Sequence, residues 1–341
     1  MQGNPKLSIC ISTFNRASLI GETLESMVNQ ATEECEIVVL DGASTDDTEA
    51  TIVRYARLFP RLRYIRKSEN GGLDRDRDEV VKCALGDYCW LMSSKDLIKP
   101  GAIAAVLKLL PYEPSVIGTN MEVKDSTLKK TLIARGVAFK EDVTYGPGEN
   151  DKLFREAFPV LSHISCAIVK RSVWMARERE QYYGSLHVHL GVIFQKPLPG
   201  NTIVTSSLLV CHRFGNQTWL SQATRAALLW PAFIESLAIT EETKRKYSPS
   251  KTRPSFNTLL THRACGVYSR SDYCNIVRPH LSGFGERAIA AFIAVIPGRF
   301  VNGILVLMNR FGRHHYRGVA LQMLRESRFH ILNWRGVKFD L

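Results

Sequence analysis

The first 110 residues alternate short apolar segments, each ending in polar residues, with amphipathic segments. Leu7–Ile11, Glu36–Leu40 and Asp87–Met92 are apolar runs of strand length, which is typical of strands buried on both faces of a sheet. Between the first two, Ala17–Gln30 repeats its apolar residues at helical spacing. Strands and helices that alternate over short connections favour βαβ units. We therefore predict an α/β fold, with helices on both faces of a mixed, mainly parallel sheet.

The rest of the chain changes character at about residue 220. Before that point, Ile164–Val169 and Ile203–Cys211 are further strand-like runs, and Ser185–Phe194 between them has a helical pattern. After it, the sequence is helical in pattern, basic and interrupted by prolines. We predict a first domain over residues 1–220 and a helical, basic C-terminal region over residues 221–341.

Two apolar runs in the C-terminal region suggest contact with a membrane. Ala288–Ile296 and Gly303–Met308 are almost wholly apolar, and a cluster of arginines and histidines follows them. Neither run reaches the roughly 18–20 residues of a spanning helix. The region is therefore either a helical cap on the core or an interfacial segment on anionic lipid. The two interpretations are compatible.

The net charge of +12 suits an anionic partner. We expect no nucleic-acid partner, because the basic residues form no recognisable binding module. None of the eight cysteines has C-x-x-C spacing, so the common zinc and redox motifs are excluded. The N-terminal residues lack the apolar stretch of a signal peptide, which favours the cytoplasm. The sequence indicates no oligomeric state.

Three polar loops follow predicted strands: Ser12–Arg16, Asp41–Asp47 and Ser93–Asp96. Because the carboxyl ends of adjacent parallel strands meet at one crevice, the three loops can share one ligand. A carboxylate such as Asp41 can accept a hydrogen bond from a nucleotide base, and Arg16 suits ribose or phosphate. Ser44–Asp47 can also be a plain helix cap.

In order and spacing, these segments resemble the family 2 glycosyltransferases of the GT-A fold. The matching segments are Leu7–Arg16, Ile37–Thr48, Glu69–Gly72 and Ala84–Met92. Within that family, other segments resemble the abequosyltransferase-type branch, which decorates bacterial O-antigen. They are Tyr88–Met92, Asp96–Ala102, Tyr183–His189 and His212–Trp219.

The resemblance implies an inverting transfer of a sugar from a nucleotide-sugar donor to a lipid-linked or polysaccharide acceptor. Such an acceptor is a glycan on polyprenyl diphosphate, and the expected setting is O-antigen-type synthesis, peripheral on the inner face of the cell membrane. The alternative is a non-catalytic GT-A relative that binds nucleotide sugar or protein partners.

Particular residues carry these expectations. The implied nucleotide-binding residues are Thr13, Asn15, Arg16, Asp41 and Arg77. Arg213 and Trp219 are expected to contact phosphate and a sugar face, or else to form an ordinary strand-end turn. The acidic residues Asp74 and Asp76, beside Arg77, can equally be a solvated start of a helix.

The metal motif departs from the family pattern. The family has acidic residues at positions 93 to 96 that hold Mg²⁺ or Mn²⁺ against the diphosphate, whereas Ser93 and Lys95 stand here and only Asp96 remains. Asp96 can anchor a divalent cation if phosphate oxygens and water complete its shell. Alternatively, Lys95 stabilises the departing diphosphate in place of the metal, or the site is inactive.

An inverting transfer needs a general base near the acceptor hydroxyl. The family usually supplies an acidic residue at the start of a helix, where this chain has His187 and His189. We predict His189 as the base, since the pKa of histidine suits the task. Glu149 and Asp151, in a segment predicted to be a mobile loop, are the reserve candidates.

Overall fold

The structure is a computed structural model, and it describes residues 3–215, 222–250, 254–311 and 317–330. The chain forms two compact units. The first comprises Met1–Lys124, Ala134–Arg213 and Ser236–Thr240, and the second comprises Asp125–Ile133, Phe214–Glu235 and Glu241–Leu341. Both units therefore take short segments from either side of residue 220, and the boundary at that residue stays a prediction.

A mixed sheet forms the centre of the first unit, as predicted. The strands of the chain are β1 (Leu7–Thr13), β2 (Cys35–Asp41), β3 (Leu62–Arg66), β4 (Tyr88–Ser93), β5 (Leu97–Ile98), β6 (Val116–Lys124), β7 (Thr131–Ile133), β8 (Val143–Tyr145), β9 (Ala167–Lys170) and β10 (Thr202–Arg213). In the sheet of the first unit they run in the order β3-β2-β1-β4-β9-β6-β10-β5, and β8 pairs with β10. The pairs along β3-β2-β1-β4 are parallel, as is β6 with β10.

The central strands of this sheet are rich in apolar residues because both faces of the sheet are covered. All residues of β2 and nearly all of β1 and β4 are buried. The helices of the first unit are α1 (Ala17–Val28), α2 (Thr48–Ala56), α3 (Leu73–Cys83), α4 (Ala102–Leu107), α5 (Asn150–Leu161), α6 (Arg171–Met175) and α7 (Val188–Phe194). Helix α1 buries its apolar stripe, and α3 packs against β1 and β2.

The acidic start of α3 is buried, so its interpretation as a solvated helix end is wrong. Helix α3 begins at Leu73, directly after Gly72 in the left-handed region (φ 86°). Asp74 accepts backbone N–H groups of Gly184, Leu186 and Val188 at 2.9, 2.8 and 3.2 Å. These bonds fix the segment that leads into α7.

The segment predicted as a mobile loop is ordered. Tyr145 ends β8 as a buried residue, and its hydroxyl donates to Glu156 at 2.8 Å. Glu149 accepts from the backbone N–H of Gly146 at 2.7 Å, and α5 begins at Asn150. These hydrogen bonds close the turn between β8 and α5.

The second unit has its own apolar core, as expected of a helical C-terminal region. Its helices are α8 (Ala223–Glu235), α9 (Glu241–Tyr247), α10 (Phe256–Cys265), α11 (Arg270–Asp272), α12 (Phe284–Val295), α13 (Gly298–Phe311) and α14 (Arg317–Glu326). Leu259, Tyr268 and Ile293 belong to one cluster, and Val301 and Leu324 belong to another.

Replacing Asp74 with alanine should destabilise the first unit by roughly 3–5 kcal/mol, the usual cost of removing one partner from a buried ion pair. The change removes the negative charge beside Arg77 and the acceptor of three backbone N–H groups. Urea denaturation measures the loss. The exposed Asp87→Ala is the matched control, and equal stability of the two variants would contradict the assigned role.

Candidate active site

Polar residues from three strands meet at the carboxyl edge of the parallel part of the sheet. In the strand register Thr13 of β1 lies opposite Asp41 of β2, and Ser12 lies opposite Ser93 of β4. The loops after these strands therefore start at the same level. This is the edge where open α/β sheets bind ligands.

Hydrogen bonds tie the loop after β1 to the loop after β2. Asn15 has a left-handed backbone (φ 51°), which asparagine tolerates better than most residues. Its N–H donates to Ser44 Oγ at 2.8 Å, and its side-chain Oδ1 accepts from the Thr45 N–H at 2.8 Å. The N–H of Arg16 donates to Thr48 Oγ1 at 2.8 Å. The two loops thus form one rigid rim.

Asp41 is fully buried beneath this rim. One carboxylate oxygen accepts from the N–H and hydroxyl of Ser44, and the other accepts from the Tyr64 hydroxyl at 2.8 Å. Asp41 therefore organises the loop that follows β2, and its contact with a base stays a prediction. The buried hydroxyl of Thr13 has no hydrogen-bond partner among the described residues.

A second centre forms around the buried carboxylate of Asp96. Its Oδ2 accepts from the Ser165 hydroxyl at 2.6 Å, and its Oδ1 accepts from His212 Nδ1 and the Arg213 N–H, both at 3.0 Å. Burial alone would raise the pKa of Asp96, but His212, Lys95 and Ser165 hold it well below its usual range. An ionised carboxylate only accepts hydrogen bonds. His212 Nδ1 therefore carries a proton and donates it to this carboxylate.

Arg213 supports the Asp96 centre through contacts with other residues of the protein. Its Nε donates to the Lys95 carbonyl at 3.1 Å, and its Nη2 lies 2.6 Å from Glu22 on α1. These contacts hold the loop after β4 in place. The expected contact with an acceptor phosphate stays a prediction, and Trp219 lies outside the described residues.

The remaining predicted residues lie on or beside the segment before α7. Arg77 donates to the Leu186 carbonyl at 3.0 Å. Leu186 has a left-handed backbone (φ 69°), a strained conformation for leucine and one that often marks a functional site. Next in the chain comes His187, which is half-buried. Asp74 and Arg77 together hold this strained segment in one conformation.

His189 does not suit the role of general base that its position suggested. It is 1% exposed, and its Nε2 lies 3.1 Å from the Leu161 carbonyl. Burial lowers the pKa of His189 well below its ordinary value. A base must reach the acceptor hydroxyl, so we assign this ring to the core. His187, whose ring centroid is 6.0 Å away, is half-buried.

Sequence reasoning missed His163 and Ser165, which precede β9. The rings of His163 and His212 lie 4.6 Å apart, so His163 belongs to the Asp96 centre. The available signal was a polar break, Ser-His-Ile-Ser, at the start of an otherwise apolar run. Nothing in that pattern shows which distant loop the polar groups face.

The donor set fits a divalent cation only in part. Among residues 3–215, 222–250, 254–311 and 317–330, no group of three or more His, Cys, Asp or Glu side chains is arranged to hold a metal. The Asp96 carboxylate supplies oxygen ligands, whereas the His212 ring is hydrogen-bonded to it through Nδ1 and does not face the same point through Nε2. A single carboxylate holds a cation when phosphate oxygens of a substrate and water complete the shell.

Comparison with known proteins gives consistent matches. Residues 8–173 match the model of Glycosyl transferase family 2. The chain is 28% identical over 290 residues to abequosyltransferase RfbV of Salmonella typhimurium, covering 78% of this chain and 85% of that protein. It is 24% identical over 183 residues to the GalNAc(5)-diNAcBac-PP-undecaprenol beta-1,3-glucosyltransferase of Campylobacter jejuni, covering 53% and 57%.

The fold also matches solved structures. S. aureus TarS 1–349 in complex with UDP-GlcNAc aligns over 95% of this chain and 91% of that chain, with a TM-score of 0.57 and 16% identity. Without the donor, TarS 1–349 gives a TM-score of 0.53 and 18% identity, over 95% and 91% of the two chains. At these identities the likeness concerns the fold alone.

The site should make the folded protein less stable in acid. Burial, with His212 second, lowers the pKa of His163 to about 3, and burial, with Arg77 second, lowers the pKa of His187 to about 4. An unfolded histidine titrates near 6.5. The unfolded chain therefore binds protons first as the pH falls, and stability present above about pH 6.5 is lost towards pH 4.

Thermal unfolding between pH 7.5 and pH 4.5 measures this slope. The double variant His163→Gln, His187→Gln should show a shallower fall of the midpoint with pH than the wild type. His280→Gln, on an exposed histidine of the second unit, should leave the slope unchanged. Parallel slopes for all three proteins would contradict the buried-histidine account.

Proposed function

We propose that this chain, a nucleotide-sugar-dependent glycosyltransferase whose residues 8–173 form a family 2 domain, transfers one sugar with inversion to a lipid-linked glycan. The observation that carries the proposal is the common edge at which Thr13, Asp41 and Ser93 end their strands. The names of two relatives give further support. One is an abequosyltransferase, and the other acts on an acceptor named as PP-undecaprenol-linked.

The rim formed by the loops after β1 and β2 is proposed to hold the nucleotide. Asn15 and Arg16 lie at its outer side, half-buried or exposed, where a base and a phosphate can reach them. Asp41 keeps the rim in shape through Ser44 and Tyr64. A nucleoside therefore meets a preformed surface, and less ordering is needed on binding.

The diphosphate is proposed to face the Asp96 centre. If a divalent cation binds there, Asp96 would hold it together with phosphate oxygens and water, and it would neutralise charge on the leaving diphosphate. The alternative gives that task to Lys95, whose ammonium belongs to the same loop. In both cases Ser165 and Arg213 keep the Asp96 carboxylate oriented. The two alternatives differ in their response to a chelator.

His187 is proposed as the general base, in place of His189. It occupies the helix start from which the family supplies an acidic residue, and Asp74 and Arg77 fix the segment that carries it. The pKa of His187 is lowered to about 4, close to that of an ordinary carboxylic acid. A neutral imidazole there has the proton affinity of the carboxylate it would replace.

The second unit is proposed to keep the enzyme peripheral on the inner face of the cell membrane, next to its acceptor. The support is its positive charge and its apolar helices, whose arrangement is described below. The alternative, a non-catalytic GT-A relative, predicts binding of nucleotide sugar without turnover.

Donor turnover with and without EDTA separates the two accounts of the diphosphate site. If Lys95 acts alone, activity should survive EDTA, and Lys95→Ala should lose about 10²-fold in rate, as when one preorganised electrostatic group is removed. If Asp96 holds a cation, EDTA should abolish turnover, Mn²⁺ or Mg²⁺ should restore it, and Lys95→Asp should tighten metal binding. Lys108→Ala, on an exposed lysine of the same unit, is the control. No turnover with any donor under either condition would favour the non-catalytic alternative.

The base assignment is tested by a matched pair of histidines two positions apart. His187→Gln should lower kcat by roughly 10²–10⁴-fold, the usual contribution of a general base, and leave donor binding and thermal stability nearly unchanged. His189→Gln should instead lower the unfolding temperature, because it changes a buried ring. Loss of kcat in His189→Gln alone, with normal stability, would restore the original prediction.

A further inference from the structure

We infer that the outer face of α12 and α13 is a binding surface for an anionic bilayer, and that the cavity between these helices receives a lipid chain. This "apolar platform" consists of Phe284, Ile289, Phe292 and Val295 on α12 and Phe300, Ile304, Leu307, Met308 and Phe311 on α13. All nine side chains are exposed, and Phe284 and Phe311 are 89% and 75% exposed.

The platform follows from the periodicity of α13. Phe300, Ile304, Leu307 and Phe311 recur at spacings of three and four residues, which puts them on one side of the helix. The opposite side packs inward through Val301 and Asn302. Helix α13 therefore turns Val301 and Asn302 to the core and leaves its largest apolar residues outside.

Asn302 fixes this orientation. Its side-chain amide is buried and donates to the carbonyls of Ala264 and Leu324 at 3.1 and 3.0 Å. Rotation of α13 that buried Phe300 and Leu307 would expose or strand this amide, which costs free energy. The outward position of the apolar stripe is therefore a property of the fold.

A cavity of about 500 Å³ opens among these residues. Leu260 of α10, Phe292 of α12 and Phe300, Ile304 and Met308 of α13 contribute to its lining. Only Asn257 and Thr261 among its lining residues are polar. An apolar cavity bordered by exposed aromatic rings suits a flexible hydrocarbon chain, whose burial there removes apolar surface from water.

Charge favours a bilayer over a second copy of the chain. Residues 254–330 contain ten arginines, no lysine and three carboxylates, and Arg299 and Arg310 directly precede the exposed Phe300 and Phe311. Anionic lipid attracts such a segment, and arginine stems can lie along the apolar surface while their guanidinium groups contact headgroups. Two copies meeting through this face would bring like charges together, which is unfavourable.

The geometry suits helices that lie on the bilayer. Within the described parts of the chain, no single helix has the length and apolarity needed to span a membrane, although α12 and α13 taken together do. Their axes meet at 93°, so the pair presents its apolar residues over an area of surface. Such helices bind by apolar burial together with attraction to anionic lipid.

Vesicle flotation of the full chain tests the inference. The protein should float with vesicles of phosphatidylcholine mixed with phosphatidylglycerol, and less with phosphatidylcholine alone. High salt should weaken the binding without abolishing it. Phe300→Ser should reduce partitioning by at least about tenfold, the expected effect of no longer burying one large apolar side chain. Leu58→Ser, at a side chain of the first unit that is 67% exposed, should have no effect.

Insertion is measured separately with brominated phosphatidylcholine. The tryptophan fluorescence added by Phe300→Trp should be quenched by these lipids, whereas the fluorescence added by Leu58→Trp should not be quenched. The inference is overturned if the wild type binds neither kind of vesicle, or if Phe300→Ser abolishes a concentration-dependent dimer and leaves flotation unchanged.

The choice of a bilayer rests on the proposed lipid-linked acceptor, but flotation needs no sugar transfer. A protein that floats without turnover would contradict the proposed function alone, and one that transfers sugar in detergent without floating would contradict this inference alone.

Discussion

The buried carboxylate of Asp96 connects three parts of the first unit that are far apart in the sequence. It receives hydrogen bonds from Ser165, which lies 69 residues away, and from His212 and Arg213, which lie 116 and 117 residues away. A buried charge is tolerated only when partners satisfy it. The end of β4, the segment before β9 and the end of β10 are therefore held in one arrangement. That arrangement brings His163 and His212 together beside the Asp96 carboxylate.

Asp74 has the same kind of role in the neighbouring segment. Three backbone N–H groups point at one carboxylate, much as a bound anion sits at a helix start. The carboxylate and Arg77 stabilise Leu186 in a strained backbone conformation, which the leucine side chain disfavours. Both buried acids thus use charge to order a loop. Folding free energy maintains the geometry of the site before any substrate binds.

The fold was predictable from the sequence because burial on both faces of a strand leaves a clear apolar run. The α/β architecture inferred from those runs is confirmed. The family was suggested by the motifs at the strand ends, and residues 8–173 match its model. The partners of buried polar residues were not predictable, because they depend on contacts between distant segments. Asp74 and Asp76 show the difficulty: an acidic cluster at a helix start is usually solvated, whereas here residues 184–188 bond to Asp74 and Lys67 pairs with Asp76. The prediction of His189 as the general base was not supported for a related reason, since helical spacing alone does not tell which of two nearby histidines faces the core.

The same limit applies to α13, and there it carries information about function. An apolar sequence in a helix predicts burial. From the sequence, the C-terminal region could be either a structural cap or an interfacial segment. The structure shows that burial and exposure divide the helix by side: Val301 and Asn302 face the protein, whereas Phe300 and Leu307 are largely exposed. A helix that served only as a cap would gain stability by placing its phenylalanines in the core and polar residues outside. Because Asn302 locks the opposite arrangement, the exposed stripe imposes a cost on the protein in water, and that cost is recovered only when another apolar phase covers it.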